Sequence, residues 1–350
     1  MDMRHGILVF IICTFAIVPA VSGLEINQIG GFNFGVAYDI VYREDIAYVS
    51  GNNGVDVFDV SDRENPVKLT RIGNQQGAFG LELLGDKLYI AGTGDGLFIV
   101  DVSEPGNPVV LGSFEMMATD VNVDSGYAYV SSGTSYSIID VNDPENPEII
   151  STIPGSGRSD HIKVIEDILY LCEANIGIMV YDISDRTHPI FLSTVSGTIG
   201  IFDIKSDGST LYLACHSNGI KVLDITDRSS PRIIGSFNNG GEAYGIHITG
   251  DYLLVADLQQ GVEVLDISSP GSPSLMASWA STHPHGVSGD SRYIYLADQD
   301  HGLEIFIYGE DVERSTNNQW VNRIPVNTAE VALGVLFVVL VRRNADEKYL

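Results

Sequence analysis

A seven-bladed β-propeller of four-stranded blades is the fold this sequence predicts, and three observations predict it. Six segments carry one strand-and-turn pattern, and their anchoring aspartates Asp59, Asp101, Asp140, Asp182, Asp224 and Asp266 lie 42, 39, 42, 42 and 42 residues apart. A short β-type run precedes each anchor, centred on Tyr48, Tyr89, Tyr129, Tyr170, Tyr212 and Leu254, and recurs a seventh time at Tyr295. Nine residues before each of these stands the start of another alternating run, at Asp39, Gly80, Asp120, His161, Asp203, Gly245 and Gly286. Four short strands per repeat of about 40 residues, seven times over, is the arithmetic of propeller blades.

The strands of one copy can be justified in turn. In the first, the position after the run's starting residue (Asp39, Gly80 and their counterparts, the landmark of each copy) reads Ile40, Leu81, Val121, Ile162, Ile204, Ile246 and Val287, uniformly apolar, so it packs between blades. Its neighbours are polar and variable and, by the period-two alternation of a strand, face the other way, into the central channel. The second strand (IAYVSG, KLYIAG, YIYLAD) is rich in Val, Ile and Tyr. The third ends at the anchor aspartate, in a turn of the form D-[VI]-[STN] closed by a proline in six copies. Asp and Ser side chains there accept backbone N–H bonds, and proline sets the backbone angle from which the fourth strand leaves. Calcium binding is the other reading of such turns, but six near-identical copies point to architecture.

The seventh copy, GLEIFIY at 302–308, has Ile307 in place of the aspartate and no fourth strand after it. LEINQIGG at 24–31 looks like an orphaned fourth strand. The sequence therefore predicts a ring closed by its N-terminal strand, which would leave blade seven without an exposed edge. The copies resemble the LVIVD-repeat family of surface propellers, through runs such as VDVFDVSDRENP (55–66) and LFIVDVSEPGNP (97–108), over residues 24–308. That resemblance implies the propeller fold and an extracytoplasmic setting, and it implies no reaction.

The flanks suggest export and tethering. Residues 1–23 read as a signal peptide: Arg4, the apolar run Ile7–Val18, then small residues. A polar linker at 309–323 leads to an apolar tail at 324–350, where Val331–Val341 precedes Arg342 and Arg343. The tail reads as a membrane anchor or sorting signal, with a buried C-terminal helix as the alternative. The formal charge of −27, from 46 acidic against 19 basic residues, excludes nucleic acid as a partner. Thirteen of those acids lie in the repeated turns, so much of the charge is architectural. Cys172 and Cys215, at strand ends of adjacent copies, read as buried thiols or, less readily, as a disulfide.

Function should sit where the copies differ. Asp39, Asp120, His161, Asp203 and His247 are candidate ligand-binding groups in the channel, joined on the rim by Glu173, His216, Asp257 and Asp298. His283, His285, Asp300 and His301 are candidate metal ligands, because His283-Pro284-His285 could present two imidazoles on one side to a divalent metal. The blander reading is a solvated, acidic surface. No HExxH, GxSxG or P-loop accompanies these residues, so no catalytic group is assigned. The expectation is a secreted, cell-surface-tethered binding or structural module with a monomeric ectodomain. Its partner would be a surface protein or an envelope polymer. The alternative is a metal-dependent hydrolase or lyase using the His/Asp rim of blades 4–7.

Overall fold

The computed structural model describes residues 24–310 and 312 apart from 74–76, 93 and 95, with the side chains of 156–160 outside the description. The readings of 1–23 and 324–350, and nearly all of the linker at 309–323, fall outside the described residues. Every regular element among the described residues is a β-strand. The strands form seven antiparallel blades of four, arranged in a ring, so the expected seven-bladed propeller is the observed fold.

Blade 1 shows the plan. Its strands run Ala37–Arg43, Ile46–Gly51, Gly54–Asp59 and Val67–Ile72 from the channel outward. The first begins and the second ends on one face of the ring, here called the upper face. The Asp-to-Pro turns lie on the lower face. Blades 3 and 4 depart from the expected separation: one strand, Glu148–Ile165, forms the outer edge of blade 3 and then the inner strand of blade 4. The short SGTS connection lets the third strand of blade 3 start at Gly133, where it pairs with Ser159, which also pairs with Glu173.

Ring closure follows the predicted route. Glu25–Phe32 pairs with Gly302–Gly309, Glu25 opposite Gly309 and Phe32 opposite Leu303, and so supplies the fourth strand of blade 7. Leu24 and Ile26 are buried in the core between blades 6 and 7. The inner strand of blade 7, Pro284–Gly289, then lies beside that of blade 1.

The core is divided into seven apolar clusters, one at each blade–blade interface. The seven apolar first-strand residues predicted to pack there, Ile40 to Val287, are at most 5% exposed. Cys172 and Cys215 are unbonded thiols in the cluster between blades 4 and 5, and burial pushes the Cys215 thiol up to about 12.

The repeated turns are built as the sequence suggested. Asp59, Asp101, Asp140, Asp182, Asp224 and Asp266 each accept, through Oδ1, the backbone N–H two residues ahead, at 2.8–2.9 Å. In five of the six, all but Asp140, these bonds and the neighbouring hydroxyl hold the carboxyl below its ordinary range.

Candidate binding site at the channel mouth

The first strands of blades 1, 2, 4, 6 and 7 each carry one extra residue near their start. Tyr38 and Asp39 fall between the pairs Ala37–Gly51 and Ile40–Val49, and Tyr244 and His285 occupy the same place in blades 6 and 7. A bulge of this kind bends the strand and re-aims its side chains. In these five blades the bulge falls at the residue just before the landmark, and in blades 3 and 5 that residue, Thr119 or Phe202, directly precedes the strand.

Those residues are Tyr38, Phe79, Thr119, Asp160, Phe202, Tyr244 and His285, in blades 1 to 7. Five are rings, and they touch in sequence round the mouth. Phe79 stacks on Tyr38 with centroids 4.6 Å apart, Tyr38 meets His285 at 6.0 Å, His285 meets Tyr244 at 4.5 Å and Tyr244 meets Phe202 at 4.3 Å. His216, from the loop between strands two and three of blade 5, completes the arc 5.3 Å from Phe202 and 5.4 Å from Tyr244. All six are half-buried. Upper-face loops brace them: Tyr38 Oη donates to Asn52 Oδ1 at 2.7 Å, and Gln299 Nε2 lies 2.8 Å from His285 Nε2. His216 Nε2 lies 3.4 Å from Glu242, and its main chain exchanges two bonds with Ala243 of the next blade. Burial lowers the His285 pKa to about 4, so its ring is neutral at pH 7.

Below the arc, the predicted channel aspartates have structural bonds. Asp39, Asp120 and Asp203 each use Oδ2 to accept the N–H of Leu81, Ile162 or Ile246 in the next blade, at 2.9, 3.2 and 2.9 Å. Their Oδ1 atoms accept the N–H of the following residue. Each carboxylate thus staples two blades. At Gly80, Gly245 and Gly286 the neighbouring inner strand comes too close for a side chain; a Cβ on Gly286 would lie 2.7 Å from Asp39 Cα. His161 Nδ1 lies 3.3 Å from Asp120.

The channel also gathers charge from across the ring. Lys205 Nζ sits 3.0 Å from Asp203 Oδ1. Burial works against the Lys205 ammonium, yet Asp203 and Asp39 outweigh it and hold its pKa above the usual value. Burial raises Asp39 to about 6 and pushes Glu82 upward, the latter opposed by Lys163 and Lys205. His247 is lowered to about 4, by burial first and Lys205 second. The channel therefore carries the carboxylates of Asp39, Glu82, Asp120 and Asp203 against the ammonium groups of Lys163 and Lys205.

The remaining sequence candidates do not form one site. Asp257 Oδ1 accepts the N–H groups of Gln259 and Gln260, which makes it the organiser of its own loop. Asp298 does the same for Asp300 and His301, and its Oδ2 accepts from His283 N and Ser281 Oγ. Glu173 is fully buried at the end of its strand in blade 4. The two imidazoles of His283-Pro284-His285 part company: His283 Nδ1 pairs with the exposed Asp300 at 2.6 Å, while His285 turns into the arc. His301 instead meets Asp298 and Glu304, with one ligand atom from each within 4.8 Å of the others. Glu304 Oε1 accepts from Gln28 of the closing strand, Ser281 Oγ lies 2.7 Å from Oε2 with a single proton to give to it or to Asp298, and burial raises the Glu304 pKa.

The arc and Glu304 were missed in the sequence, although the arc had a readable signal. Aligning the copies on the landmark puts an aromatic or histidine one place before it in five of seven. Glu304 looks like any acid in an alternating strand until the closing strand brings Gln28 over it.

Comparison with known proteins agrees with this architecture. The LVIVD repeat family matches residues 34–72, 78–116, 117–153, 156–196, 202–239 and 240–281, over half of the chain. No curated protein matches. The crystal structure of the computationally designed Ika8 protein is similar in fold, with a TM-score of 0.59 at 10% identity, covering 80% of this chain and 100% of that one.

Proposed function

Taking as premise that the chain belongs to the LVIVD-repeat family, which fixes a fold and no reaction, we propose that it is a secreted, surface-tethered binding module. Its ligand, a surface protein or an envelope polymer, would seat on the channel mouth. The observation that supports this reading is the continuous arc from Phe79 to His216, drawn from five blades. These rings are half-buried where the core side chains are fully buried, and convergent aromatic groups at an opening are a common lining of a ligand site. Retention of the full-length protein on isolated cell envelope is the test. Replacing Tyr38 and Tyr244 by Leu should cut retention at least tenfold while the melting temperature holds, and equal retention would refute the mouth as the site.

A metal-dependent hydrolase or lyase is the second reading, favoured by the Asp298–His301–Glu304 cluster. Carboxylate and imidazole suit zinc or manganese. Against it, both carboxylates already accept bonds from protein donors. Metal analysis after dialysis against zinc or manganese, for the wild type and Glu304→Gln, decides between them. Metal in the wild type alone would favour the enzyme, and metal-free protein would discard it.

A further inference from the structure

We propose that Asn239 is a self-modifying residue: its side chain cyclises onto the main chain and hydrolyses to aspartate or isoaspartate, and Glu263 protonates the ammonia that leaves. The inference is independent of the binding reading. Asn239 opens the run Asn239-Gly240-Gly241, in the irregular connection from Arg232–Phe237, the outer strand of blade 5, to Ala243–Thr249, the inner strand of blade 6. Asn239 and Gly240 are exposed. Each party to an intramolecular attack has its own hydrogen bond there. The nucleophile is the main-chain nitrogen of Gly240, whose N–H donates to Asn238 Oδ1 at 2.8 Å. The electrophile is Asn239 Cγ, and its oxygen accepts the N–H of Gly241 at 3.3 Å. A main-chain donor on that oxygen stabilises the charge it gains when Cγ is attacked. The leaving group is Nδ2, which donates to Glu263 Oε1 at 2.6 Å.

Glu263 is fitted to release it. Burial first, and Asp257 second, raise its pKa to about 7, so much of it is carboxylic acid at neutral pH. An acid is most effective when its pKa lies near the working pH. In the first step Gly240 N bonds to Cγ and gives its proton to solvent. The Cγ–Nδ2 bond then breaks as Glu263 protonates the departing nitrogen, which leaves ammonia and a succinimide ring, and Glu263 regains its proton from solvent. Water opens the ring at either carbonyl. The space around Gly240 is open, so no neighbour hinders the closure. The other two Asn–Gly pairs are placed differently. Gly54, after Asn53, already belongs to a strand and lies opposite Gly51, while Gly219 N, after Asn218, donates to the main-chain oxygen of His216 at 2.9 Å. Conversion of Asn239 would set a third carboxyl beside Asp257 and Glu263, on the connection that also supplies Glu242 and Ala243 to His216.

Peptide mapping by mass spectrometry, after incubation of the full-length protein at neutral pH, reads the conversion at all three pairs. In the folded protein Asn239 should convert about tenfold faster than Asn53 or Asn218, a modest share of what general acid catalysis provides. In urea, where the arrangement is lost, the three should convert alike. Glu263→Gln keeps an acceptor for Nδ2 but has no proton to give, and it should bring Asn239 to the rate of the other two in a protein that stays folded. Glu263→Met provides the same reading should Glu263→Gln not fold. An Asn239 that stays intact, that converts no faster folded than in urea, or that converts at the wild-type rate without Glu263 overturns the inference.

Discussion

Glu263 shows what a single residue can cost in this ring. It is 2% exposed, bonded to Asn239 Nδ2 at 2.6 Å, and burial followed by repulsion from Asp257 raises its pKa to about 7. The native state therefore holds its proton more tightly than the unfolded chain, so the residue's contribution is most favourable below the ordinary glutamate range and is lost as pH rises through about 7. Glu263→Gln keeps an acceptor for Asn239 and removes the charge. Urea midpoints should show the variant gaining on the wild type between pH 5 and pH 8, and a constant difference would contradict the assignment. At the same place in blade 1, Asp56 is equally buried but faces Lys68 and Arg71. A sequence shows three acids in matching strands, Asp56, Glu263 and Glu304. Which of them receives a counter-charge depends on neighbours from the fourth strand and the next loop, and that information is not local.

The elements divide according to how local their causes are. Turn chemistry depends on a few consecutive residues, so the six aspartate turns and the strand order were legible, and the bonds fell where the spacing put them. The bulges were not, because their register is set by the partner strand. They explain why the landmark alignment was sound while the most informative position lay one residue earlier. The inner ring depends on pairs of elements as well. Asp39, Asp120 and Asp203 read as channel ligands, yet each spans to the next blade, while Gly80, Gly245 and Gly286 mark close approaches. Gly286→Ala should accordingly destabilise the ring by about 1–3 kcal/mol, as overpacking does, since its methyl would press on the main chain of Tyr38 and Asp39. Gly106→Ala, with open space around it, is the control. Equal unfolding midpoints for the two would show that the blades can shift apart at no cost.

For the whole molecule, the seam between the first and last described strands, Glu25–Phe32 and Gly302–Gly309, is the decisive element. Repeat counting predicted it correctly because a missing fourth strand and a spare one leave a single arrangement. Deleting residues 24–31 removes Leu24 and Ile26 from the core. Their burial alone is worth about 3–6 kcal/mol. The ring's thermal midpoint should drop by on the order of 10 °C, and an unchanged midpoint would mean that blade 7 is sound with three strands. On the tethered reading proposed above, the same seam would set which way the molecule is displayed. Glu25 and Gly309 are paired neighbours, and both lie at the lower end of blade 7, the end that carries the aspartate turns in the other blades. A tether attached beyond Gly309 would pull from beneath, with the turn-borne carboxylates toward the anchoring surface. The aromatic mouth would then point away from the cell, toward whatever approaches from outside.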